Sequence, residues 1–268
     1  MAARGGPLLL GVIVNADDFG FHDAANRGIV RAFEEGLISS TTLMANQPGS
    51  EEAVALAYDH GLDEHLGIHL VLTQGVPLTD AIRRLPRFCD SEGVFRDRRS
   101  TSRVWHLGGA EREAVITELA AQVRKVRDAG FRVTHIDSHH SVHHDWAIGT
   151  CVIQIARELD IPFVRLARNC GPGTGLASSV YERTYNLRLR RSGLARTRWF
   201  GEPGDWLDLR ERGTDPTLLD DFELMTHPQL EDGNLIDAVH GVLLSEFLAP
   251  VVGVSRATSF SGARRVPA

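Results

Sequence analysis

At 268 residues the chain has the length of one barrel-sized α/β domain, and 43% apolar with 24% charged residues is the balance of a globular protein with a sizeable core. The net charge of −6 sets nucleic acid aside as a partner, because phosphate contacts demand a basic surface. A neutral sugar stays open, since hydrogen bonds and stacking recognise it without net charge. Cys89, Cys151 and Cys170 are scattered in no paired or metal-type spacing, which suits a reducing compartment better than a disulfide framework.

The apolar run Leu8–Asn15 reads as a buried first strand. Arg4 before it raises the question of a signal peptide. The run is at the short limit for one, however, and leads straight into Asn15-Ala16-Asp17-Asp18 with no cleavage site. No stretch approaches the roughly 20 apolar residues of a membrane span. The expected compartment is the cytoplasm.

Asp23–Glu35 is predicted to be a helix closed by Gly36, Ile38–Ala45 a strand, Ser50–Tyr58 a helix and Leu66–Leu72 a strand. Thr73 to Gly109 is a long irregular excursion, of the length that functional loops and lids have. Glu111–Ala129 is an amphipathic helix ended by Gly130, and Arg132–Asp137 a strand. Asp145–Leu159 is a helix, Phe163–Leu166 a short apolar run, Gly171–Gly175 a loop, Tyr181–Trp199 helical in part and basic, and Phe222–Thr226 a late strand. Repeated βα units favour a parallel sheet, closed or nearly closed into a barrel, so the expected fold is α/β. With no repeat, low-complexity tract or linker, one domain over 1–268 is the simplest reading.

Asp17 and Asp18 follow the first strand. Adjacent carboxylates raise each other's pKa unless something positive lies beside them, and a divalent metal would supply that charge. Neighbouring side chains on extended backbone diverge, so one could bind metal while the other serves a separate role; alternatively, one simply caps the next helix. His69 is a polar residue inside the apolar Gly67–Leu72 run, a pattern equally met in hydrogen-bonded core histidines. The segment His135–His144 packs five histidines and one aspartate into ten residues, with His135, Asp137 and His139 on one face if the chain is extended. With no thiolate nearby, this set suits Zn, Mn, Co, Fe or Mg. Arg165 and His227 each end an apolar run. All these positions fall in or just after predicted strands, where barrel enzymes assemble their sites.

Several segments in order resemble the YdjC-like carbohydrate deacetylases: Val14–Gly20, Gly36–Thr42, Gly67–Thr73 with Gly75 and Pro77, Thr134–His140 with Val142-His143, Pro162–Arg165, and Met225–Pro228. The resemblance runs from about residue 10 to 230 and implies a distorted barrel related to polysaccharide deacetylases. It implies Asp18, His69 and His139 as ligands of one divalent metal ion (Mg or Zn, with Mn, Co or Fe as further options). It also implies Asp17 as general base, His227 as general acid, Arg165 as the residue that orients the base, and His143 and His140 at the substrate pocket. The implied partner is a small N-acetylated sugar, of chito-oligosaccharide or glycolipid type; a homodimer is left open.

Ser141 stands where the family commonly has a third histidine of this run, and Asp145-Trp146 where it has a proline. Glu231–Ala268 shows no match and is expected to form a divergent or partly disordered tail. Two rivals from other classes remain: a two-metal phosphoesterase, to which His140, His143 and His144 could add ligands, and a non-catalytic sugar- or metal-binding relative.

Overall fold

The computed structural model describes residues 8–9, 11–97, 103–171, 175–251, 259–261 and 264–265, the side chains of 8–9, 216–217 and 264–265 excepted. Its centre is a seven-stranded parallel sheet. The strands are β1 (Ile13–Phe19), β2 (Ser40–Leu43), β3 (Leu66–Leu70), β4 (His135–Ser138), β5 (Phe163–Val164), β6 (Trp199–Gly201) and β7 (Phe222–Thr226), in spatial order β5-β4-β3-β2-β1-β7-β6. Helices α1 (Asp23–Glu34), α2 (Ser50–Asp59), α3 (Gly109–Asp128), α4 (Trp146–Glu158), α5 (Leu176–Arg191) and α6 (Pro203–Glu211) connect them.

The sheet curls until its two edges meet. Ala195, on the approach to β6, forms a parallel bridge to Phe163 in β5, donating to the Pro162 carbonyl at 2.8 Å and accepting from the Val164 amide at 3.2 Å. The βα alternation predicts such a closed or nearly closed parallel barrel, and its distorted, incomplete form is the one the family resemblance implies.

The pleat sorts side chains into two sets. Outward residues such as Val12, Val14, Ala16, Ile68 and Ile136 join the helices in one apolar core. The interior is apolar at one end, where Ile13 and Phe163 pack with Phe260, and polar towards the C-terminal strand ends. Phe260 also stacks on His135 with ring centroids 3.8 Å apart. Gly67 is required by this filling: a Cβ there would lie 2.4–2.7 Å from the His135 ring atoms.

Three differences from the sequence expectations concern the site. The first strand does not stop before the two aspartates; it runs through Phe19, with a register shift between Ala16 and Phe19. Asp18 takes a left-handed conformation there (φ +69°), a local irregularity that turns its carboxylate to the same region as that of Asp17. Neither aspartate caps α1, since His22 Nδ1 accepts from the Ala25 amide at 3.1 Å. Trp199, the last residue of the stretch expected to be helical in part, instead opens β6, because pairing with β7 outweighs local propensity in so short a segment.

The long excursion after β3 is pinned by α3. Buried Glu118 accepts from the amides of Leu78 and Thr79 and from the Thr79 hydroxyl, while Gln122 pairs with both backbone groups of Val71. Within the expected divergent tail, three strands, β8 (Pro228–Glu231), β9 (Asn234–Asp237) and β10 (Val242–Leu243), form an antiparallel sheet followed by α7 (Leu244–Leu248). Residues 252–258, 262–263 and 266–268 of that tail lie outside the described residues. Strand β8 lies close on α1, where a Cβ on Gly28 would sit 2.6 Å from the Gln229 Cα. No helix among the described residues is long and apolar enough to cross a membrane.

Candidate active site

Parallel register brings the chemistry together. His69 in β3 lies opposite Asp137 in β4, and Ala16 in β1 lies opposite Thr226 in β7, which sets Asp17 and His227 next in line. The histidine-rich segment then leaves the sheet. His139 opens a short helical turn over His139–His144, kinked by left-handed His140 (φ 52°) and Ser141 (φ 54°), and this turn directs His139 back across the mouth.

Asp18 Oδ1 is the meeting point. It lies 2.8 Å from His139 Nδ1 and 3.2 Å from His69 Nε2, and the three ligand atoms fall within 4.8 Å of one another. The far nitrogen of each imidazole is engaged. His69 Nδ1 faces Asp137 Oδ1 at 2.8 Å, and His139 Nε2 faces Gln74 Oε1 at 3.1 Å. Protons on the far nitrogens would leave both near nitrogens with a lone pair for a cation beside Asp18, the arrangement that histidine ligands of metals share. These donors therefore suit a divalent cation. Side-chain exposure rises from 2% at His69 to 10% at His139 and 18% at Asp18, so the cluster opens on the Asp18 side.

The cluster is strongly polarised. Burial opposes charge on Asp18, but hydrogen bonds from His139 and His69 hold its carboxyl well below the usual range. Burial likewise opposes charge on His69, yet Asp137 and the two neighbouring aspartates push it up to about 10.

A second group, Asp17, His69 and Asp137, is also close enough to hold an ion, but Arg165 already occupies it. Its guanidinium bonds both oxygens of Asp17 at 2.7 Å, Asp137 Oδ2 at 2.7 Å and Glu223 Oε1 at 2.5 Å. Burial raises the cost of charge on Asp17, and the bidentate Arg165 more than offsets it, holding the carboxyl well below its ordinary range. Asn15 Nδ2 donates to Asp17 Oδ1 at 2.9 Å.

His227 is half-buried, and its charge interaction with Asp17 lowers the Asp17 pKa further. Its backbone amide is held by Asp237 Oδ2 at 2.8 Å, and Asp237 Oδ1 faces His240 Nδ1 at 2.8 Å. His140 is exposed at the mouth beside Thr73 Oγ1, at 2.9 Å. His143, expected at the substrate pocket, is instead fully buried beneath it, with Nδ1 2.5 Å from Ser138 Oγ. Trp206 is a core residue, whereas Trp105 is 59% exposed with Tyr181 edge-on to its ring.

The sequence places Asp137 among the metal-type donors of the histidine-rich segment and leaves Gln74, Glu223 and Asp237 without a role. Glu223 carried a detectable signal, being a carboxylate inside a largely apolar strand. Gln74 and Asp237 carried none, for they reach the site through loop and hairpin geometry.

Fold and site together define an incomplete (β/α) barrel protein with an Asp/His donor cluster at its C-terminal strand ends. The chain belongs to the YdjC-like protein family, whose profile matches residues 11–247. A carbohydrate deacetylase of Brevibacillus brevis is 44% identical over 151 residues, 56% of this chain and 57% of that protein, so the match spans less than two thirds of that relative's own length. A carbohydrate deacetylase of Vibrio cholerae serotype O1 is 32% identical over 221 residues, 82% of this chain and 79% of that protein. Among solved structures, a protein of Enterococcus faecalis V583, with a suggested role in cellobiose-phosphate cleavage, aligns with a TM-score of 0.62 at 24% identity, over 83% of this chain and 82% of that one. That likeness bears on the fold alone.

Proposed function

We propose that the chain is a metal-dependent hydrolase that removes the acetyl group from an N-acetylated amino sugar of chito-oligosaccharide or glycolipid type. The observation that carries this reading is the convergence of His69 Nε2 and His139 Nδ1 on Asp18 Oδ1, each imidazole fixed from behind by an oxygen acceptor. The chain's similarity to the carbohydrate deacetylase of Vibrio cholerae, 32% identical, supports the reading. Asp18, His69 and His139 would hold one divalent ion, Mg or Zn in the first instance. Such an ion, when bound, supplies Lewis acidity towards an amide carbonyl and makes water a better acid.

The remaining chemistry belongs to the chain. Asp17 receives the proton of the attacking water at Oδ2, the oxygen engaged by Arg165 NH1, whereas Oδ1 already accepts from Arg165 and Asn15. Arg165 fixes the plane of that carboxylate and keeps it ionised. His227, one register step beyond the Ala16–Thr226 pair, donates a proton to the departing sugar nitrogen, which otherwise leaves poorly. Water and amide thus become acetate and a free amino sugar. His140 and the exposed face of Trp105 are assigned to the sugar, and buried His143 supports the turn that carries His139.

The two-metal phosphoesterase alternative is disfavoured by Arg165, whose positive charge sits where a second cation would have to bind. The deciding experiment is acetate release from a panel of N-acetyl sugars by protein stripped of metal and then reloaded. Metal uptake with no acetate from any sugar would leave a binding protein and overturn the proposal.

A further inference from the structure

We propose that Glu223 is a positioning residue: it anchors Arg165 through Nε so that the two outer nitrogens of the guanidinium reach Asp17 and Asp137 together. This deepens the deacetylase reading and rests on it for its kinetic arm.

The argument begins with what a guanidinium can do. Its N–H groups lie in one plane and its head group rotates about the bonds of a long side chain, so two contacts on one edge leave the tilt of the fork adjustable. Arg165 is held on a second edge. Nε bonds Glu223 Oε1 at 2.5 Å, NH1 bonds Asp17 Oδ2, and NH2 is shared between Asp17 Oδ1 and Asp137 Oδ2, each at 2.7 Å. The three carboxylates come from β7, β1 and β4, so the guanidinium links strands on both sides of β1. The ring of Phe200 in β6 covers it at 4.8 Å from Cζ. Glu223 lies opposite Ile13 and Phe200 in the sheet, below the layer that holds Asp17.

The second observation is that Glu223 is over-committed for a simple ion pair. It is 1% exposed, and its Oε2 has no hydrogen-bond partner. Burial, only partly offset by Arg165, pushes its carboxyl up to about 7, while Asp17 on the same guanidinium is driven the opposite way. A buried carboxyl is costly to hold even when one of its oxygens is ion-paired, because the desolvation of both charges has to be offset. Its position is explained by geometry: Oε1 is the stop against which the Arg165 fork is set. Asp17 is thereby held firmly and in one orientation, as proton transfer requires.

Two substitutions separate reach from charge. Glu223→Gln keeps an acceptor oxygen at the same distance and loses the charge. Glu223→Asp keeps the charge and withdraws the oxygen by one methylene. Positioning predicts kcat within about 5-fold of the parent for the first and about 100-fold lower for the second, with KM changed little in both. The Nε–H resonance of Arg165, assigned by its loss in Arg165→Lys, should stay sharp and protected from exchange in Glu223→Gln and be lost in Glu223→Asp. The opposite order, or two variants that both match the parent in kcat and in the Nε–H signal, would overturn the proposal. If the parent protein releases no acetate from any sugar, the deacetylase reading fails and the Nε–H comparison alone decides the role of Glu223.

Discussion

Arg165 grips both oxygens of Asp17 at 2.7 Å, while the next residue, Asp18, presents an oxygen that two histidines approach. Adjacent aspartates are thus divided between two electrostatic partners, a fixed guanidinium and a pair of imidazole nitrogens. Asp17→Asn keeps the shape and removes the proton acceptor. Its kcat should fall by about 10³-fold or more while metal content, measured by elemental analysis, stays near one ion per chain. Loss of metal with activity restored by excess ion would instead make Asp17 the ligand.

Asp18 and His139 are the most open members of the donor cluster, and His139 has Gln74 behind it. His139→Ala should abolish tight uptake of a divalent ion. Gln74→Ala should weaken it about 10- to 100-fold, because the ring loses the acceptor that fixes its tautomer. Titration calorimetry with Zn or Mg on chelator-treated protein checks both; unchanged affinity in His139→Ala would remove it from the cluster.

The interior leaves no room at residue 67. In Gly67→Ala the new methyl group would overlap the His135 imidazole, which is wedged between Asn15 Oδ1 at 3.1 Å and the Phe260 ring. Overpacking of this kind costs about 1–3 kcal/mol, so thermal unfolding should come several degrees lower. Gly36→Ala makes a useful contrast: it meets no atom within 4 Å, and any loss there reflects its positive φ alone.

Asp221 offers a pH test away from the Asp/His donor cluster. Burial pushes its carboxyl from the ordinary 3.8 up to about 6, against the pull of the Arg198 backbone and side chain. A raised folded-state pKa means that folding is undisturbed below pH 3.8, and stability is lost as pH climbs through about 6. Asp221→Asn should therefore stabilise the protein at pH 7.5, by about 1–2 kcal/mol once residual solvent contact is discounted, and change little at pH 4. Equal effects at both pH values would show that the carboxyl is not perturbed.

The legible part of this protein lay in residues whose type clashes with their surroundings. The βα alternation, the aspartates at the end of an apolar strand and the dense histidines after Thr134 each stand out without coordinates. So do His69 and Glu223, polar residues inside runs that are otherwise apolar. Glu223 went unassigned because a lone carboxylate in a strand does not name its partner. Strand β6 was hidden because it is short and is stabilised by pairing with β7, further along the chain; the short β8–β10 strands pair locally with one another but lack a clear alternating pattern.

The sequence by itself therefore determined the class of fold, the order of the strand-end residues and the chemistry those side chains are able to perform. Tertiary structure decided which atoms meet. Parallel register put Asp137 behind His69, a left-handed residue turned Asp18 towards the histidines, and a loop tied down by Glu118 delivered Gln74. Those distances depend on the curl of a whole sheet and on backbone angles at single residues. Local side-chain preference carries no information on either.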